Sequence, residues 1–204
     1  MSDPSTMAAW FADIKTFFER SLDAGGLIVL HVEPDLWGFM QSRSGSADPT
    51  KVPVRVAATG MPELEGLPDT VAGMAQAIVK LRDLYGRNVI LGYHFSTWAT
   101  GIDPFLSNSS ESQTGTIARS AATFYLALGA RFDLVFSEFS DRDAGFKDKE
   151  YKDGGASWWD NADFARFGQL LREFHDRTGP PIVLWQIPLG NTKMRSLNNT
   201  RNHY

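Results

Sequence analysis

Apolar residues fall along this chain with two different periods. Between Asp3 and Gly25, the residues Trp10, Ile14, Phe17, Phe18 and Leu22 recur near i, i+4, i+7 and i+8. That spacing lays one apolar stripe along a helix. Asp3-Pro4 supplies a cap and a first helical residue, and Gly25-Gly26 supplies a stop. Residues 27–32 then run Leu-Ile-Val-Leu-His-Val, a short near-continuous apolar stretch that reads as a buried strand ending at Glu33-Pro34-Asp35.

The alternation continues. Residues 36–67 are rich in Gly, Pro, Ser and Asp and read as a loose connection. A short strand is conceivable over 52–56, where Pro53 confines it to an edge or a loop. Pro68-Asp69 opens a second helix with Val71, Met74, Ala75, Ile78, Leu81 and Leu84 as its stripe, closed by Gly86. Strands are predicted over 88–94, 132–138 and 181–187, and helices over 116–128 and 160–177. A charged loop covers 139–159, and a polar tail follows Pro188. Apolar strands alternating with amphipathic helices predict an α/β fold with a parallel sheet covered by helices.

Composition narrows the class. The chain has 204 residues, of which 43% are hydrophobic and 22% charged, the balance of a globular domain. It contains no cysteine, which removes disulfides, thiolate metal sites and cysteine nucleophiles. The net charge of −4 shows no excess of positive charge for nucleic acid, and no apolar run approaches the roughly 20 residues a membrane helix needs. There is no basic segment followed by an apolar run at the start. These features predict a cytoplasmic protein if the chain is complete, and are compatible with secretion if it is a fragment. A single domain is expected over 1–204.

The chemistry-bearing residues concentrate at strand ends. In parallel α/β folds ligands bind at the carboxyl ends of the strands. Glu33, Asp35 and Trp37 follow the first strand, and His94, Ser96 and Trp98 the second, with Asp103 beyond. Glu138, Asp141 and Asp143 follow the third, with Trp158 and Trp159 later, and Trp185, Gln186 and Asn191 the fourth. The opposite ends carry plain turns such as Tyr85-Gly86-Arg87. Carboxylates beside tryptophans suit a sugar, because indole faces stack on pyranose rings while acids and amides bind hydroxyls. Two carboxyl groups are also the machinery of glycosidic cleavage. Each acid taken alone also suits a plain helix cap or loop bond, Trp10 reads as core, and His31 reads as a satisfied core histidine. The acids around 141–153 do not follow the EF-hand spacing, so no metal is expected, and no cofactor motif is present.

Three segments carry a family resemblance: Val32-Glu33-Pro34-Asp35, residues 93–99 (Tyr-His-Phe-Ser-Thr-Trp-Ala), and Ser137-Glu138 with the following Asp141-Arg142-Asp143-Ala144-Gly145. They resemble barrel glycoside hydrolases. The Glu-Pro-Asp element is similar to one in the family 6 cellulases and to the Asn-Glu-Pro strand end of a large retaining clan. The resemblance implies a (β/α)8 barrel. A family 6 relationship implies aspartate catalysis near Asp35 and Asp141 or Asp143, whereas the retaining clan implies Glu33 as acid/base. That clan also places a glutamate nucleophile on a later strand, where this chain has Trp185-Gln186-Ile187-Pro188.

The expectation is therefore a partial (β/α)8 barrel of about four to five units, short of the roughly 250 residues of a complete one. It would act as a glycoside hydrolase on a poly- or oligosaccharide. Glu33 and Glu138 are expected as the principal carboxylates, with Asp35 and Asp141 tuning or replacing them. Trp37, His94, Trp98, Asp143, Trp185, Gln186 and Asn191 are expected to bind substrate. A non-catalytic carbohydrate-binding protein and a small flavodoxin-like ligand-binding domain are the alternatives.

Overall fold

The computed structural model describes residues 1–139, 141 and 144–186. The elements alternate as the periodicities predict. Helix α1 (Pro4–Ala24) precedes strand β1 (Ile28–His31), and α2 (Pro34–Ser44) follows it. Then come α3 (Val71–Tyr85), β2 (Val89–Phe95), α4 (Glu111–Ala127) and β3 (Leu134–Glu138). A single turn α5 (Ala144–Phe146) runs into a π-helical turn (Lys147–Tyr151), and α6 (Asn161–Thr178) leads to β4 (Ile182–Trp185).

The strands form one sheet in the order β1-β2-β3-β4, every pair parallel, curled as a half-barrel. Chain order equals spatial order, so each helical connection crosses to the adjacent strand. The register splits the strand residues into two faces, since side chains alternate along a strand. Ile28, Leu30, Leu91, Tyr93, Phe95 and Val135 lie on the face that joins the helical core, against Phe11, Phe18, Ile78, Phe124 and Phe174. Phe95 and Phe174 stack there, with centroids 4.5 Å apart and ring planes at 9°. Val29, His31, Gly92, His94, Phe136, Glu138, Val183 and Trp185 share the opposite, concave face.

Local sequence explains most boundaries. The Asp3 carboxylate accepts from Thr6 N at 2.7 Å, and Gly25 takes the positive φ of 69° that ends α1. Ser110 and Gln113 form a capping box at the start of α4, and Asp160 and Asp163 another at the start of α6.

Two expectations need correction, and one open alternative is resolved. The segment 36–67 is not a loose connection throughout, because α2 occupies its first part and short 3₁₀ turns follow at Pro49–Lys51, Ala57–Thr59 and Pro62–Leu64. Residues 52–56 take the loop alternative, with only an isolated antiparallel bridge between Pro53 and Thr70. Val52, Val54 and Val56 are buried, but their backbone bonds go to the start of α3: Val54 N donates to Asp69 O and Val71 N to Val52 O. Helix α3 begins at Val71 rather than Pro68, because the Asp69 carboxylate instead accepts from Val56 N and Ala58 N at 2.7 and 3.1 Å.

Candidate functional site

A cleft of about 310 Å³ opens at the carboxyl ends of the strands. Asp35 on α2, Ser96, Trp98 and Asp103 after β2, and Glu138, Asp141 and Lys147 around and after β3 all line it. The cleft is thus built from the segments that follow three successive parallel strands, where such folds place ligands.

Each wall has a physical origin. Glu138 closes β3, in register with Trp185. Asp141 is 6% exposed, and its Oδ2 accepts from Trp159 N at 3.0 Å, which ties the start of α6 to the end of β3. Trp159 packs against Phe105 with centroids 4.4 Å apart and against Phe167 at 5.4 Å, so the wall is a packed aromatic block. On the other side Phe39, exposed on α2, meets Trp98 edge-on at 5.0 Å. Gly38 lets this helix approach, since a Cβ there would lie 2.7 Å from Ser96 Oγ and 2.8 Å from Trp98 Cζ2.

His94 sits on the floor, 4% exposed. Its Nε2 accepts from Trp185 Nε1 at 3.0 Å and its Nδ1 lies 3.2 Å from Ser96 Oγ. His31 lies beside it on the concave face with centroids 5.2 Å apart, stacked on Phe136 at 4.1 Å. Burial pushes the His31 imidazole down to a pKa of about 4, which keeps it neutral at neutral pH.

The residues singled out from sequence divide. Asp35, His94, Trp98, Glu138 and Asp141 come together in the cleft. Glu33 does not line it: β1 ends two residues earlier, and Glu33 sits exposed at the cap position of α2 with no side-chain capping bond. Trp37 is 0% exposed, wedged against Tyr93 and Phe132, and offers no ring face to a ligand. Trp185 reaches His94 rather than lining the cleft, and Gln186 follows it at a positive φ of 51°. Asp143 and Asn191 lie outside the described residues.

The cleft also holds residues the pattern did not bring forward. Phe39 is hidden in sequence because α2 lacks an apolar stripe, and Lys147 because its turn carries the charged pattern of a loop. Ser137, whose hydroxyl donates to Phe95 O at 3.2 Å, looks in sequence like any strand serine. No group of three or more acidic or histidine side chains among the described residues is arranged to hold a metal ion. The Asp153 carboxylate, in the acidic loop, takes the Ser157 hydroxyl and Gly155 N instead, and the Ser157 bond leads in holding its pKa down. No helix among the described residues is long and apolar enough to cross a membrane. No family model, curated protein or solved structure matches this chain.

Proposed function

We propose that the cleft binds a poly- or oligosaccharide and hydrolyses a glycosidic bond. One observation carries this reading: Glu138, Asp141, Asp35 and Asp103 line a single cleft together with Trp98 and Phe39. Carboxyl groups facing one space supply a proton donor and a base or nucleophile, and aromatic rings offer stacking faces to sugar rings. Glu138 is the best-anchored acid, because it ends a hydrogen-bonded strand. Asp141 is its nearest partner along the chain and is fixed by the Trp159 amide. The pair expected from sequence, Glu33 with Glu138, gives way to Glu138 with Asp141 or Asp35, since Glu33 stands outside the cleft.

The wider identity as part of a (β/α)8 glycoside hydrolase belongs to the same proposal. It draws on the parallel half-barrel and on the strand-end position of the cleft. The test is release of reducing ends from carboxymethyl-cellulose, xylan, mannan, starch and chitin. Glu138→Gln is expected to lower turnover by roughly 10²-fold or more, the scale of a lost acid or base. Asp141→Asn or Asp35→Asn should give a comparable loss, while Glu33→Gln should leave the rate near wild type. Hydrolysis that survives all three cleft substitutions would sink the catalytic reading. Sugar binding without product release would instead favour a carbohydrate-binding protein.

A further inference from the structure

The bond from Trp185 to His94 fixes more than a ring position. An indole N–H can only donate. At 3.0 Å from His94 Nε2, it requires that nitrogen to present its lone pair. A neutral imidazole carries one proton, which then resides on Nδ1. Nδ1 faces Ser96 Oγ at 3.2 Å, so it donates and the hydroxyl oxygen accepts. A protonated Nδ1 cannot accept, so the hydroxyl hydrogen of Ser96 is left to donate elsewhere, and Ser96 lines the cleft.

Burial makes this polarity hold. His94 and Ser96 are 4% and 5% exposed, so bulk water has little access to either bond. Gly38 leaves room for the Ser96 hydroxyl. The Trp185 ring stands at 87° to both the His31 and His94 rings, with centroids 4.8 and 5.6 Å away, so the indole is held by packing as well as by its bond.

We propose that Trp185 and His94 are positioning residues that turn the Ser96 hydroxyl hydrogen away from the imidazole and make it available to donate to the ligand. The ligand atom met there is an acceptor oxygen, either a hydroxyl or a ring or bridging oxygen of a sugar. That identification of the ligand rests on the carbohydrate reading above, whereas the direction of the relay does not. The relay also gives Trp185 a different task from the ring stacking that its type suggests.

The relay is read directly from the imidazole tautomer by two-bond 1H–15N correlation spectra of the full chain labelled in histidine, with the His94 signals assigned by their loss in His94→Gln. The wild type is expected to show His94 with its proton on Nδ1 at neutral pH. Trp185→Phe keeps a ring and removes the donor, and should move the population toward the Nε2-protonated form. Ser96→Ala should leave the tautomer unchanged. An Nε2-protonated His94 in the wild type overturns the relay, whether or not the variants fold, and so does a tautomer indifferent to Trp185→Phe in a folded variant.

The ligand half is tested by calorimetric titration with cellopentaose, xylopentaose, mannopentaose and maltopentaose. Ser96→Ala and Trp185→Phe should each weaken the binding of the sugar that the wild type accepts, by up to about tenfold, the scale of one hydrogen bond. The double variant should be no weaker than Ser96→Ala, because both act through one hydroxyl. Additive losses would overturn the coupling. Absence of binding by the wild type would count against the carbohydrate reading alone, with the tautomer still deciding the relay.

Discussion

Gly92 has no side chain at a place where two rings need to meet. It pairs with His31 across β1 and β2, and a Cβ on it would lie 2.3 Å from Phe136 Cε2. The gap lets His31 and Phe136 stack over β2 at 4.1 Å. The cost falls on His31. The sequence pattern suggests a satisfied core histidine, but its Nε2 is buried and has no hydrogen-bond partner among the described residues. A run of apolar residues marks a strand, but it cannot tell what a histidine within it will face across the sheet. The same limit applies to Glu33, whose side-chain direction depends on a helix starting immediately after it. The buried imidazole has a pH consequence. Its folded pKa, about 4, lies below the ordinary 6.5, so between these values the unfolded chain binds the proton more strongly. Stability contributed by this group is full above pH 6.5 and is lost as pH falls toward 4. The Glu63 carboxylate, pulled down to about 2 chiefly by its bond to Lys15 and then by Tyr85, acts in the same sense but only below about pH 4.5. Urea denaturation at pH 7.5 and 4.5 should therefore show a smaller loss for His31→Phe than for the wild type. Equal losses would mean that His31 titrates normally.

Elements were legible where their signals were local and redundant. All four strands and the longer helices announced themselves by period, and the Asp3-Pro4 start of α1 by its cap. Helix α2 did not, because its buried residues are Trp37, Gly38, Met40 and Gln41, a set with one glycine and one amide rather than an apolar stripe. Helix α4 begins at Glu111, five residues before the 116 that periodicity predicts, because its first turn is polar and is specified by hydrogen bonds. Ser110 Oγ accepts from Gln113 N at 3.3 Å, and Gln113 Oε1 accepts from Ser110 N at 2.8 Å. This end is also bound to α6, since Arg166 Nε donates to Ser109 O and Gln169 Nε2 to Glu111 O. Ser110→Ala removes the cap acceptor while leaving these ties in place. It should cost about 1 kcal/mol in urea denaturation with an unchanged slope. A loss well below that would mean the α6 ties alone hold the first turn.

At the scale of the molecule, the sheet has two unlike faces. Parallel sheets are ordinarily buried on both sides, because their crossover helices cover both. Here the helical core covers one side, and the concave side is left partly open at valines of the two edge strands: Val29 on β1 is 49% exposed and Val183 on β4 is 36% exposed. The sequence could show that four strands alternate with helices, but not this asymmetry, because curl and coverage arise from how the strands pair and where the helices cross. The asymmetry separates two surfaces by chemistry. The cleft at the strand ends is polar and acid-lined, whereas the opposite end of the concave face, with Val29, Gly92 and Val183, is apolar. An apolar dye such as anilinonaphthalene sulfonate should therefore bind the folded protein on the concave face and fluoresce. A lysine on an edge strand pointing to that side would put a charge where the dye sits, the same device that blunts natural sheet edges. Val29→Lys with Val183→Lys should abolish most of the dye signal. The urea midpoint should move by less than a core substitution would cause, since both side chains are only partly buried and a lysine stem can cover the same apolar surface. A dye signal that persists in the folded double variant would show that the apolar surface in solution lies elsewhere.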